Sequence, residues 1–369
     1  MDVRSTRAHA CQILSTAAYL SPELSLSVVL PKYHIGGVDF ETVKNNHGLS
    51  QMPNVVFLRN FGIRKSGIVA FAIFNIPAIF FLLWKKINQD VDYIYFRTSY
   101  FLPVAFVAFI LNIPFFYETH RRPISWSERK RDHVMSRMAT GIVVISEYMR
   151  EHYVSYKKKI LVAHDAVSLK RFAAVVDRGK SRNKLGVMLD DKVCVYSGTI
   201  SKLKGIDTLI STARLLPNLR FFLAGIVSPE FANATLPSNV KILGKLEQKE
   251  LPSILQAADV LLLPHPKGEY SQSPMKLFEY MASGVPIVAS RLPSICEILN
   301  EKNAILVEPG NEKSLAQGIE RAINNDNLSQ TISKKAYDDV QNHTWEKRGF
   351  AITEFIKNTL KSQRNNETI

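Results

Sequence analysis

A short run late in the chain has the residue types and spacing to hold a phosphate and a hydroxyl-bearing ligand. Ser273 can accept from the free N–H groups at a helix start, and Pro274 suits the first helical position. Lys276 then stands in the first turn, where a cation opposes the helix dipole. A phosphate at that end would answer both the free N–H groups and the misplaced lysine. Met275 belongs to the same turn. Glu279, one turn further on, lies close enough to accept from ligand hydroxyls. Gly284 and Pro286 end the helix, and residues 287–289 resume as a buried strand. The same segment would also read as an ordinary α/β helix with Lys276 and Glu279 solvated.

A second loop carries similar chemistry. Residues 196–205 follow an apolar strand and open a helix. Gly198 lets the backbone approach a ligand closely, and Gly205 permits a tight entry into the helix. Lys204 would meet a phosphate as a point charge. Alone, this is a plain βα loop with solvated lysines. Both loops end strands of the same half of the chain, so both can face one pyrophosphate. In the other half, Glu118 and His120 close a strand and fall on the same side if it continues. A carboxylate and an imidazole there suit a sugar's hydroxyls or a reacting oxygen. His120 could equally be a satisfied loop histidine, with Arg121 and Arg122 as surface charge.

Such loops need strands that feed helices, and the chain alternates in that way. In the first half, residues 8–20, 67–84, 101–111 and 147–152 read as helices. Residues 26–30, 55–58, 93–96, 113–117, 141–145 and 160–163 read as strands. The polar, basic stretch 164–182 reads as a connector. The second half restarts with strands at 192–196, 219–225, 240–244, 260–264 and 305–307. Its helices are expected at 206–215, 251–257 and 312–324. Residues 344–361 form an amphipathic closing helix, and 364–369 a frayed tail. This alternation predicts an α/β protein with two Rossmann-like, doubly wound domains of parallel strands. Such a pair places a cleft between strand C-termini, where ligands bind in open α/β sheets. The expected divisions are 1–172, 173–345 and a closing segment 346–369.

Composition narrows the partners. The 369 residues suit two domains, and 46% hydrophobic with 22% charged residues is globular. A net charge of +14 favours nucleic acid, anionic lipid or a phosphorylated ligand. No nucleic-acid motif accompanies it. Cys11, Cys194 and Cys296 are far apart and suggest a reducing compartment without a disulfide framework. No His/Cys cluster has metal-ligand spacing. No signal peptide is legible at the start. Residues 67–84 are nearly all apolar between lysines, at the lower limit for a membrane span. Asn75, Pro77 and the strand–helix rhythm that follows favour a helix lying on the bilayer interface, with Trp84 and the lysines at headgroup level.

Three motifs together resemble a known family. These are residues 196–205 with Lys204-Gly205, residues 273–290 with Glu279, and Tyr117-Glu118-Thr119-His120. They look like the retaining, nucleotide-sugar-dependent glycosyltransferases of family 4, or group 1, with the GT-B architecture. His164-Asp165-Ala166-Val167 with Arg171-Phe172 resembles the family's connector, and 344–348 the start of its closing helix. The resemblance implies that Lys204 holds the donor diphosphate and that Gly198, Thr199, Gly205, Ser273, Met275 and Lys276 line that site. It implies that Glu279 bonds the nucleotide ribose, that His120 meets the donor sugar near the reacting carbon, and that His120 and Glu118 are the catalytic residues. It implies no metal and no cofactor beyond the nucleoside-diphosphate sugar. The acceptor would be a glycan or lipid-linked, in cell-surface polysaccharide or lipopolysaccharide synthesis, with the protein peripheral on an anionic, cytoplasmic membrane face.

Three departures stand out. The family's glutamate eight positions before Glu279 is Ser271 here, with Glu269 out of register. Its second diphosphate cation is Thr199, which weakens the clamp or shifts the charge to Lys202. The chain also starts almost inside its first helix, so the first strand and its glycine-rich turn are expected to be absent. The missing strand and Ser271 leave a second reading, a non-catalytic, membrane-associated relative. A nucleotide-sugar epimerase of the same architecture is a third, and would need a fuller acid–base set in the cleft.

Overall fold

The structure is a computed structural model and describes residues 8–20, 24–32, 39–49, 51–59, 68–173, 177–268 and 275–367. It contains two compact units. One is Met1–His164 together with Trp345–Ile369, and the other is Asp165–Thr344. The closing helix thus belongs to the first unit rather than standing as a segment of its own.

In the first unit the chain runs α1 (Ala8–Tyr19), β1 (Ser27–Lys32), α2 (Phe40–His47), β2 (Asn54–Arg59), α3 (Ile68–Ile87), β3 (Ile94–Phe96) and α4 (Leu102–Ile110). It continues with β4 (Phe115–Thr119), α5 (Trp126–Met138), β5 (Gly141–Val144), α6 (Glu147–Tyr153) and β6 (Lys159–Val162). Strands β1 and β2 pair in parallel, and β3-β4-β5-β6 form a separate parallel sheet. Burial on both faces explains why β4 and β5 read as continuous apolar runs. Sequence periodicity missed α2 and α5, because both are polar helices. Their caps were nevertheless legible. Asp39 accepts from the amides of Glu41 and Thr42, and Ser125 with Glu128 forms a capping box. Among the described residues, no helix is long and apolar enough to cross a membrane.

In the second unit, α7 (Arg178–Leu185), β7 (Val193–Ser197), α8 (Ile206–Leu215), β8 (Arg220–Ala224), β9 (Val240–Gly244), α9 (Leu251–Gln256) and β10 (Val260–Leu263) come first. Next come α10 (Met275–Ser283), β11 (Ile287–Ser290), α11 (Pro293–Cys296), β12 (Ile305–Val307), α12 (Glu312–Asn324) and α13 (Asp326–Val340). The strands form one parallel sheet in the order β12-β11-β10-β7-β8-β9. Chain order reverses between β7 and β10, so a doubly wound sheet opens a crevice at the carboxyl ends of those two strands. The core-facing residues of β7 and β10, Val195 and Leu261 among them, are fully buried.

The stretch 164–182 is not a polar connector throughout. Asp177 caps α7, and the Arg182 side chain is buried. Arg182 donates to the carbonyls of Ala257, Met188, Leu189 and Asp191 and pairs with Asp259 at 2.7 Å. Asp259 also accepts from the Val193 amide at 2.7 Å, which ties the start of β7 to the start of β10. The last helix, α14 (Trp345–Glu367), runs through most of the expected frayed tail. Its Ile352 and Ile356 are buried with Leu20, Phe116 and Val143 of the first unit.

Candidate functional site

The two strands that flank the topological switch point deliver the basic groups. After β7 the chain makes a 3-10 turn at Lys202–Lys204, and Gly205, at φ +76°, starts α8. Only glycine fits there: a Cβ on Gly205 would lie 1.6 Å from the Pro264 carbonyl oxygen at the end of β10. The close approach of the two loops brings Lys204 beside the chain that follows β10. Lys204 is half-buried, and burial lowers its pKa.

Lys276 reaches the same place from the first turn of α10. Its Nζ donates to the Tyr196 hydroxyl at 2.9 Å and lies 4.1 Å from the centre of that ring. The Tyr196 hydroxyl in turn donates to the carbonyl of exposed Thr199 at 2.9 Å. Gly198, at φ +134°, makes room for the lysine, since a Cβ there would stand 2.1 Å from Lys276 Nζ. Burial holds Lys276 well below the ordinary lysine value, Lys204 adds to the effect, and Glu279 opposes it. Lys276 therefore brings a cation beside the first loop, next to Gly198 and Tyr196. Lys202, the other candidate, is exposed.

A third basic group is His265, two residues past β10. It is 0% exposed, and among the described residues neither ring nitrogen has a hydrogen-bond partner. Burial, then Lys276 and Lys204, hold its pKa well below the histidine norm. Among the described residues no carboxylate forms an ion pair with Lys204, His265 or Lys276. Sequence reading passed over His265 because a lone histidine after a strand carries no motif. Its place at the end of β10 was the available signal.

Glu279 is buried, and its carboxylate accepts from Arg171 Nη1 at 3.1 Å. Arg171 also donates to the Gln248 carbonyl at 3.0 Å. This arginine was seen only as part of the connector, yet it fixes the glutamate expected to meet a ribose. A hydroxyl binding Glu279 would share the carboxylate with Arg171. Met275 begins α10, while Ser273, Ser271 and Glu269 lie outside the described residues.

Glu118 and His120 belong to the first unit. Glu118 is fully buried at the end of β4, and its carboxylate is enclosed by partners. Arg348 of α14 donates at 2.6 Å, Tyr95 at 2.8 Å and His120 Nε2 at 2.7 Å, with Arg97 Nε at 3.2 Å. Burial alone would raise its pKa, but Arg97, Arg348 and His120 bring it well below the carboxylate norm. Arg97 also contacts His120 Nε2. Glu118, expected to be catalytic, thus has no oxygen facing out and holds His120 instead. His120, the more exposed of the pair, is the one of the two that can meet a ligand. A cavity of about 570 Å³ in the second unit is lined by Arg178, Asp259, Gly284 and Ser333 and contains none of the basic trio.

Residues 177–339 match the family described as "Glycosyl transferases group 1". The chain is 26% identical over 215 residues to a D-inositol 3-phosphate glycosyltransferase of Corynebacterium aurimucosum, covering 53% of this chain and 50% of that protein. It is 24% identical over 244 residues to an uncharacterized glycosyltransferase of Methanocaldococcus jannaschii, covering 59% and 61%. The matched region thus spans about half to six-tenths of the length of these curated relatives. Among solved structures, Anabaena HepE in complex with UDP and glucose aligns with a TM-score of 0.73 at 19% identity, over 96% of this chain and 98% of that one. Sucrose-phosphate synthase of Thermosynechococcus elongatus aligns with a TM-score of 0.74 at 17% identity, over 94% and 92%. The fold is the two-domain GT-B fold, and residues 177–339 resemble the group 1 glycosyl transferases.

Proposed function

We propose that the protein transfers a sugar from a nucleoside-diphosphate sugar to a lipid-linked or polysaccharide acceptor, with retention of configuration and without a metal ion. The observation that carries the reading is the cluster of Lys204, His265 and Lys276 at the switch point, which has no carboxylate paired to it among the described residues. Desolvated basic groups without an anion suit a ligand that supplies one. In the transfer, the bond from the anomeric carbon to the diphosphate oxygen breaks. The acceptor oxygen bonds the same carbon from the same face, and its proton passes to the departing diphosphate. Negative charge develops on that leaving group, where Lys204 and Lys276 stabilise it in place of a metal. Glu279, held by Arg171, would orient the ribose, and His120, held by Glu118, would contact the donor sugar. Complexes of HepE with UDP and with UDP-glucose support a nucleotide-sugar donor by analogy.

The acceptor side is read from the surface of the first unit. Ile76, Phe80, Trp84 and Ile87 of α3, and Phe106, Phe109 and Ile110 of α4, are exposed on two adjoining helices. Phe80 is 68% and Trp84 55% exposed. Lys86 on α3 and Arg129, Lys130 and Arg137 on the adjacent α5 are exposed as well. Apolar side chains beside cations fit an anionic lipid surface, and this supports the reading of a protein that works at the cytoplasmic face of a membrane on a lipid-borne acceptor.

The test of donor use is a panel of UDP- and GDP-sugars, read by thermal stabilisation and by release of the nucleoside diphosphate. A donor that binds only the folded state raises the melting temperature. Lys204→Ala is expected to weaken that donor about tenfold or more, the range of one charge-assisted phosphate contact. Unchanged binding by this variant would remove the site assignment.

A further inference from the structure

We propose that His265 is a third ligand of the donor diphosphate, beside Lys204 and Lys276, and that the diphosphate draws a proton onto it as it binds. The inference rests on the donor site proposed above and adds a residue and a proton to it.

The place of His265 is fixed by backbone. It follows β10 at the switch point, and its amide lies near the Gly205 turn, 3.4 Å from where a Cβ on that glycine would be. Its ring is 0% exposed, yet both ring nitrogens lack a partner among the described residues. Buried polar side chains are nearly always paired, and an imidazole offers either one donor and one acceptor or two donors. An unsatisfied ring next to two lysines is therefore set for an acceptor that arrives from outside. The groups facing it are Lys204 from the turn after β7 and Lys276 from α10. Behind Lys276 stand Tyr196 of β7 and Glu279 of α10.

The electrostatics give the direction of proton flow. In the free protein burial and both lysines disfavour the charged imidazole. A diphosphate reverses the effect of the lysines and offsets that of burial. It neutralises the lysines, and it gives a ring N–H an anionic acceptor. The imidazole pKa rises on binding, so at any pH between its free and bound values the complex takes a proton from solvent. Affinity must then fall as pH rises through that window.

Calorimetric titration of the full chain with UDP-glucose, and in parallel with GDP-mannose, tests this. Both phosphates of each probe are esterified and carry no titrating proton near neutrality, so any proton taken up belongs to the protein. The heat is measured at several pH values from 6 to 8 in buffers of different ionisation enthalpy. The expected result is net proton uptake and an affinity that falls with pH. His265→Asn is expected to reduce that uptake, flatten the pH profile and weaken the probe about five- to twentyfold. Binding by the wild-type chain with no proton uptake at any of these pH values would overturn the inference and leave the donor site standing. Uptake unchanged in a folded His265→Asn or His265→Gln variant would also overturn it, since the proton would then belong to a lysine. Failure of every UDP- and GDP-sugar to bind would instead remove the donor site, and this inference with it.

Discussion

Lys276 shows how one side chain can be costly to the fold and useful to the site. Its folded pKa is held well below the ordinary lysine value, so below that ordinary value the unfolded chain binds more protons than the folded one. At neutral pH the residue therefore subtracts stability, and the loss fades as pH rises toward the unfolded lysine value. Replacement by methionine keeps the stem against Tyr196 and removes the charge. Lys276→Met is expected to raise the melting temperature of the ligand-free protein by a few degrees, about 1 kcal/mol for a unit of this size. The same variant should lose donor stabilisation at least tenfold. A calorimetric scan with and without donor checks both signs, and a lower melting temperature in the free variant would show that the lysine is not under strain. The first-turn position of Lys276 was visible in the sequence. Its approach to the first loop was not, because that depends on the space a glycine leaves at residue 198.

At the scale of elements, the Glu118 network shows why a motif residue need not touch a ligand. The carboxylate at the end of β4 collects Arg97, Tyr95 and His120 and the Arg348 guanidinium, which arrives from α14. Arg348 also donates to the Thr16 hydroxyl of α1 at 2.8 Å and to the His164 carbonyl at 3.1 Å. One arginine thus joins α1, β4, the end of the first unit's main segment and α14. Glu118→Gln leaves two buried guanidinium groups without their anion and is expected to destabilise the first unit by about 3–5 kcal/mol. Denaturant unfolding checks this, and a loss under 1 kcal/mol would make the network ornamental. The sign with pH follows from the lowered pKa. The stabilisation is fully present above the unfolded carboxyl value and is lost only as pH falls through the much lower folded one. The strand and its terminal Glu-x-His pattern were legible. The arginine that completes the network comes from 230 residues away in sequence, beyond any local pattern.

For the whole molecule, the excess of positive charge acquires a direction only on the folded surface. A net charge of +14 says that anions are attracted but not where. In the fold, an apolar stripe on α3 and α4 lies beside the cations of α5. The wild-type chain is expected to co-sediment with vesicles containing anionic phosphatidylglycerol and to remain in solution with neutral phosphatidylcholine alone. Phe80→Glu combined with Trp84→Glu should abolish sedimentation while leaving donor binding intact. Equal binding to both vesicle types, or no effect of the pair, would reject the lipid reading. Self-association that the same pair disrupts would mark the face as a contact between copies.

The sequence alone determined the class of fold and the loops that matter, because both are local. Parallel strands buried on two faces appear as short apolar runs, helices follow at a regular interval, and glycines and lysines mark the βα turns. Only the tertiary structure decided which groups share a site. The order reversal between β7 and β10 brings Lys204, His265 and Lys276 together from loops and a helix far apart in the chain. It also decided that Glu118 is enclosed while His120 is the more exposed of the two. The physical reason is that burial and the charge of neighbours set what an ionisable group can do. Both are properties of packing, which no single stretch of sequence contains.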